Sequence, residues 1–211
     1  MARPRPRPPL PGSAYDEVNH VERGFNGGWV QLMGPLERVA DFKAIEVAAG
    51  VNAGNGSPAG LQQARFPASA IADTHNEANK RLFDIPGSHQ RDPEFSWRNV
   101  VPPAGLGFVT GGGLGDQYEG DLIVGSAVQR AANAGHLYRF KLNGGRNKFR
   151  FADNRLEDRV ADNLALDDFT TEGEEILFGM NFGIVTDIQT GPDGAMYLVG
   201  PGGTVRKIFK P

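Results

Sequence analysis

Two adjacent carboxylates, Asp16 and Glu17, stand beside Tyr15 and Asn19 near the start of the chain. In an extended segment neighbouring side chains point to opposite faces, so these two do not form a general acid–base pair with each other. Either could ligate a hard cation together with backbone carbonyl oxygens. The stretch 153–175 holds nine carboxylates against Arg155 and Arg159. A calcium loop wants alternating Asp or Asn ligands, a glycine turn and a closing bidentate Glu. That spacing is missing, and the stretch reads as a solvated loop with a helical turn at 158–164. Gly111-Gly112-Gly113-Leu114-Gly115 lacks the Gly-Lys-Ser/Thr ending of a phosphate loop, and no clear helix follows it. Ser88, Ser96 and Ser126 have no Gly-x-Ser-x-Gly context, so the four histidines find no hydrolase triad to join. His75 and His89 have no second ligand at helical spacing and read as exposed polar residues. With no cysteine in the sequence, disulfides, thiolate metal sites and a Cys nucleophile are all excluded.

The elements that must position these residues are short. Gly occupies 29 and Pro 15 of the 211 positions, which argues against a helical bundle and for many elements joined by turns. Lys and Arg number 22 against 25 Asp and Glu, for a net charge of −3, a poor footprint for general nucleic-acid binding. No apolar run is long enough to span a bilayer. Residues 1–14 begin MARPRPRPPLP and read as a disordered Pro/Arg-rich tail with no signal-peptide core. Residues 28–33 read as a strand, 50–60 as a flexible loop. Thr74-His75-Asn76-Glu77 fits a capping box and predicts one short helix over 75–82 with Ala78 and Leu82 inward. Beyond residue 92, β-branched and aromatic runs between Gly, Pro, Asn or Asp predict strands at 95–101, 106–110, 121–126, 136–142, 175–180, 184–190, 196–200 and 205–209. Gly191-Pro192-Asp193-Gly194 is a turn signal in which Asp193 is structural.

A weak repeat runs through these strands. Gly120-Asp121-Leu122-Ile123-Val124-Gly125 followed by Gly135-His136-Leu137-Tyr138-Arg139-Phe140 resembles Gly194-Ala195-Met196-Tyr197-Leu198-Val199-Gly200 followed by Gly203-Thr204-Val205-Arg206-Lys207-Ile208. The pattern suggests successive blades of a β-propeller, with a sandwich as the competitor. The bottom-up reading is therefore all-β and propeller-like, with no chemistry assigned.

Taken in order, further segments are more specific. Tyr15-Asp16-Glu17-Val18-Asn19 leads through Gly24-Phe25-Asn26-Gly27-Gly28-Trp29 to Met33-Gly34. Asp92-Pro93-Glu94-Phe95-Ser96-Trp97 follows, then Gly120–Gly125 and Leu137-Tyr138-Arg139-Phe140-Lys141-Leu142. Phe182-Gly183-Ile184-Val185-Thr186-Asp187 and Gly191-Pro192-Asp193-Gly194 close the series. From residue 15 to 211 the chain resembles the C-terminal part of the soluble PQQ-dependent sugar dehydrogenases, the glucose/sorbosone dehydrogenase family.

The resemblance implies a partial six-bladed β-propeller of about three blades, with long loops and one short helix. It implies PQQ and Ca²⁺ as cofactors and an aldose as substrate. A His base would draw the proton from a sugar hydroxyl while hydride passes to the quinone. It also implies a periplasmic or secreted location. The family's catalytic His and its Gly-x-Arg-Asn-Pro segment precede the Asp-Glu-x-Asn motif, where this sequence has MARPRPRPPLP. No catalytic residue is therefore assigned, and His20, which follows the motif, is not taken for the base. For cofactor contacts the corresponding loops offer Arg130 and Asn181, with Phe182 beside the latter. Pro102-Pro103 continues with Ala104-Gly105, without a hydroxyl. Asp16 and Glu17 match the family's Asp-Glu position and are the metal candidates. The competing expectation is a non-catalytic propeller module that binds carbohydrate or a protein partner. Exposed blade edges predict a homodimer.

Overall fold

The computed structural model describes residues 13–29, 31–52, 68–82, 85–99, 101–127, 135–162 and 172–211. They fall into two compact units, 1–100 and 101–211. Strands predominate, with two α-helices among the described residues, and none of these helices is long and apolar enough to cross a membrane. Of the tail read over 1–14, residues 1–12 lie outside the described residues; Ser13 and Ala14 already belong to the first strand.

The first unit is built on β1 (Ser13–Val18) and β4 (Phe95–Asn99), paired antiparallel with Glu17 opposite Ser96 and Val18 opposite Phe95. Two short strands, β2 (Phe25–Asn26) and β3 (His89–Gln90), pair in parallel. The helix α1 (Val39–Asn52) was not expected from the sequence. Leu36, Val39, Phe42 and Ile45 recur every third residue and are all buried, which is the inward stripe of a helix. Pro35 precedes its opening 3₁₀ turn, Leu36–Arg38, without a side-chain cap. The fold therefore has a second helix, and α1 runs through to Asn52 where a loop over 50–60 was expected; 53–60 lie outside the described residues. The second helix, α2 (His75–Arg81), starts as its capping box requires: the Thr74 hydroxyl accepts from the Glu77 N–H at 3.3 Å, and Ala78 is buried.

Residues 28, 29 and 31–33 do not form the expected strand, and residue 30 lies outside the described residues. The Gly28 carbonyl accepts from the N–H groups of Gln31 and Leu32 at 2.8 and 3.0 Å, closing a turn. Gly34, at φ +81°, ends it: a β-carbon there would stand 2.5 Å from the Tyr15 ring. Gln31 carries the turn's other function. Its side chain donates to the Ala70 carbonyl at 2.8 Å and accepts from Ala72 N at 3.0 Å, tying 70–72 to the core.

The second unit holds two antiparallel meanders. In the first, β5 (Pro103–Phe108), β6 (Leu122–Ser126), β7 (Leu137–Leu142) and β10 (Leu177–Gly179) lie side by side, and β8 (Phe149–Arg150) also pairs with β7. In the second, β11 (Asp187–Thr190), β12 (Met196–Val199) and β13 (Val205–Ile208) follow one another. The pleat places Gly105, Gly107, Ile123, Gly125 and Leu137 on one face of the first sheet. That face meets Ile188, Met196 and Leu198 of the second in a single buried cluster. Backbone meets backbone there, since a β-carbon on Gly107 would stand 2.4 Å from the Ile188 carbonyl oxygen. The Thr190 hydroxyl donates to the Phe108 carbonyl at 2.8 Å and Lys210 N to the Gly113 carbonyl at 2.9 Å, stitching the same two sheets.

The acidic stretch departs from its expected local form. Its helical turn lies at Asn154–Leu156 rather than 158–164, because Asp153 caps Arg155 N at 2.9 Å. Val160–Ala161 is extended as β9, and 163–171 lie outside the described residues.

Candidate functional site

On β1 the two carboxylates separate as an extended chain demands. Glu17 shares a face with Tyr15, against the turn that ends at Gly34, and Asp16 pairs across the ladder with Trp97. One Glu17 oxygen accepts from Gly34 N and the other from Asn19 Nδ2, the latter at 3.0 Å. Burial raises the Glu17 pKa; the bonds from Asn19 and Gly34 pull it down, and the nearby charges of Asp16 and Asp92 push it up again, leaving it raised overall. Asp92 is itself committed to structure, accepting from Leu36 N at 2.8 Å and Gln90 Nε2 at 3.0 Å. This corner can hold a proton at a higher pH than an ordinary carboxyl does. Both Glu17 oxygens face protein donors, and among the described residues no three His, Cys, Asp or Glu side chains converge.

Behind this corner lies a polar knot that the sequence did not reveal. The Tyr15 hydroxyl donates to Asp41 Oδ2 at 2.7 Å, and Arg98 reaches both Asp41 oxygens, Nε to Oδ2 at 2.7 Å and Nη2 to Oδ1 at 2.9 Å. Three elements, β1, α1 and β4, thus meet on one carboxylate. Burial alone would raise the Asp41 pKa, but the Arg98 fork and the Tyr15 hydroxyl outweigh it and hold the group below its ordinary value. Charge-assisted, two-pronged bonds of this kind fix geometry as well as energy. An Asp in the first turn of a helix carries no local mark of such a role, so only the fold brings Asp41 to Arg98.

Of the two cofactor-contact candidates, Arg130 lies outside the described residues. Asn181 is exposed and holds φ +69°, in the segment that leads to β11. Its neighbour Phe182 donates its N–H to the Gly135 carbonyl at 3.1 Å, and the Phe182 carbonyl accepts from Arg206 Nη1 at 2.6 Å. Arg206 thus commits one of its five donors to the backbone.

The histidines take no common role. His75 and His89 are exposed, as expected, and His20 lies 3.5 Å from Glu22. His136 is buried, and its backbone N–H donates to the Ser126 hydroxyl at 3.0 Å. Asp193 is structural, as its turn implied. It accepts from Ala195 N at 3.2 Å and the Tyr197 hydroxyl at 3.0 Å, and pairs with Lys207 at 2.7 Å.

Solved structures similar to this chain include sugar dehydrogenases. A glucose dehydrogenase shares 21% identity over 60% of this chain, with a TM-score of 0.35. The soluble aldose sugar dehydrogenase of Escherichia coli, in its apo form, shares 16% over 61%, with a TM-score of 0.34. A putative oxidoreductase (glucose dehydrogenase) of Thermus thermophilus shares 26% over 58%, with a TM-score of 0.31. The matched part spans 28% of the length of each of these proteins. No family model matches the sequence, and no curated protein does.

Proposed function

We propose that this chain supplies blades of a PQQ-dependent, sugar-oxidising propeller, and that sugar turnover requires residues beyond those described. One observation carries the reading. The internal repeat of the sequence falls on equivalent strands of two stacked meanders: 120–125 and 135–140 fall on β6 and β7, the second and third strands of one, and 194–200 and 203–208 on β12 and β13, the second and third of the other. Successive meanders packed face on face are how propeller blades bury their cores. The ordered motifs from Asp16-Glu17 to Gly191-Pro192-Asp193-Gly194 support the same family. In the parent, the bound quinone would accept hydride from an aldose carbon. This chain would contribute blade scaffold, with Asn181 and Arg130 at the cofactor's margin. By the same reading the parent works in the periplasm or outside the cell.

The second reading is a non-catalytic propeller module that binds carbohydrate or a protein partner. The Glu17 carboxylate favours it, because both of its oxygens, at the position matching the family's Asp-Glu motif, are bonded within the protein. Titration of the purified chain with PQQ and Ca²⁺, followed by dye-coupled oxidation of several aldoses, separates the two. Saturable PQQ binding weakened by Asn181→Ala, with little turnover, is expected. Absence of PQQ binding overturns the first reading, and turnover matching an intact sugar dehydrogenase overturns the statement that further residues are needed.

A further inference from the structure

We propose that the second unit carries a binding site for a small organic oxyanion, in the cavity of about 500 Å³ over β7 and β8. The volume lies in the range of small-molecule sites. Lys141 and Arg150 are direct register partners on these two antiparallel strands, so their side chains leave the same face. Like charges placed directly opposite destabilise a ladder. Neither has a salt-bridge partner among the described residues, and both are exposed. Arg139, two residues along β7, brings a third cation to that face.

The acids of the cavity do not answer these charges. Asp121 is taken by Arg139, whose Nε lies 2.6 Å from Oδ2. The same guanidinium donates through Nη2 to the Gln117 carbonyl at 2.9 Å and lies 4.4 Å over the Tyr118 ring, so it is held rigidly at the wall. Glu175 accepts from Ala152 N at 2.6 Å and Asp153 N at 2.7 Å. Those bonds turn its carboxylate to the backbone and brace the loop that follows β8. Two cations thus remain opposed across an open cavity in a protein whose net charge is negative, −3. A phosphate or carboxylate oxyanion between Lys141 and Arg150 would replace repulsion by two charge-assisted hydrogen bonds. Phe151 gives the cavity an apolar wall for the rest of the ligand.

The test is isothermal titration of the whole chain at fixed ionic strength with two probes, glucose 6-phosphate and gluconate, against neutral glucose. Saturable binding of at least one anionic probe is expected, weakened about tenfold or more by the double substitution Lys141→Gln and Arg150→Gln. Which probe binds tighter identifies the oxyanion as phosphate or carboxylate. The melting temperature of the double variant should equal or slightly exceed that of the parent, since it removes a repulsion and no packing. A variant that keeps the parent's affinity, a parent that binds neither anion, or glucose binding as tightly as both anions overturns the assignment. Arg150→Lys, which preserves charge, should retain binding, and its loss alongside a normal melt would also count against an oxyanion held by charge.

Discussion

The knot of Tyr15, Asp41 and Arg98 gives the sharpest test of how the first unit holds together. Asp41→Asn keeps the shape of the side chain and removes its charge. Arg98 then stays buried, at 5% side-chain exposure against 20% for Asp41, facing an amide that can answer one of its prongs. Removing one partner of a buried ion pair costs about 3–5 kcal/mol. Because Asp41 is partly wetted and Asn keeps one acceptor, the lower end, about 3 kcal/mol, is expected. For a unit the size of residues 1–100 each kcal/mol moves the melting temperature by about 4–8 °C, so the transition of the first unit should fall by about 12–24 °C. Tyr15→Phe should cost only about 1 kcal/mol, since it removes a single hydrogen bond and leaves the Arg98 fork in place. The double variant Asp41→Leu with Arg98→Met should lose less than Asp41→Asn alone, because no charge is left unpaired. Urea and thermal melts followed by circular dichroism measure all three. An Asp41→Asn variant within about 0.5 kcal/mol of the parent, the usual scatter of surface changes, would refute the reasoning.

Other perturbations follow from the same geometry. The lowered Asp41 pKa contributes stability that is complete above the ordinary Asp value and is lost as pH falls through the folded value; the raised Glu17 pKa does the opposite, its contribution being complete below the ordinary Glu value and lost as pH rises through the folded value. Urea melts across the acid range should therefore show a reduced acid loss in Asp41→Asn, and an unchanged profile would contradict that assignment. Gly107→Ala drives a β-carbon into the Ile188 carbonyl and should cost about 1–3 kcal/mol as overpacking, read from the same melts. The Asp193 carboxyl, bonded first by Lys207, should titrate at about 2; in Lys207→Ala, carbon-13 NMR should find it moved up toward the ordinary range. The exposed Val205 and Phe209 on and just after the edge strand β13 should drive two copies of the chain together, and light scattering should show Val205→Lys with Phe209→Lys shifting the mass toward one copy.

The strands of the second unit were legible because β-branched and aromatic residues cluster in short runs between turn-forming ones. The predicted ranges 121–126, 136–142, 196–200 and 205–209 differ from β6, β7, β12 and β13 by a residue at an end. Their stacking was signalled only as a repeat. Near Trp29 the local signal misled: 28–33 has strand composition, yet the Gly28 carbonyl accepts from Gln31 and Leu32 in a turn flanked by Gly28 and Gly34 at positive φ. Helix α1 is obscure in the sequence because Val39, Ile45 and Val47 are β-branched and the side chain that bonds the first N–H of its opening turn is the distant Asp92; the three-residue spacing of Leu36, Val39, Phe42 and Ile45 is its one local trace. Asp16 and Glu17 were visible as chemistry, but the donors that saturate Glu17 include a backbone N–H at Gly34, far along the chain. Lys141 and Arg150 become neighbours only through the register of β7 with β8. Pairings of that kind have no trace in local pattern.

The position of Asp41 also sets an order of events. Helix α1 can form from contacts close in sequence, whereas β1 must find β4 at the far end of the unit, with Glu17 opposite Ser96, and so must first close a long loop. Asp41 receives both of its strand partners only after that closure. Its bonds are then absent from the barrier to folding and present in the folded state, so a substitution there speeds escape from the native structure and leaves the rate of reaching it nearly unchanged. The carboxylate acts as a latch on the finished unit, setting how long it stays folded.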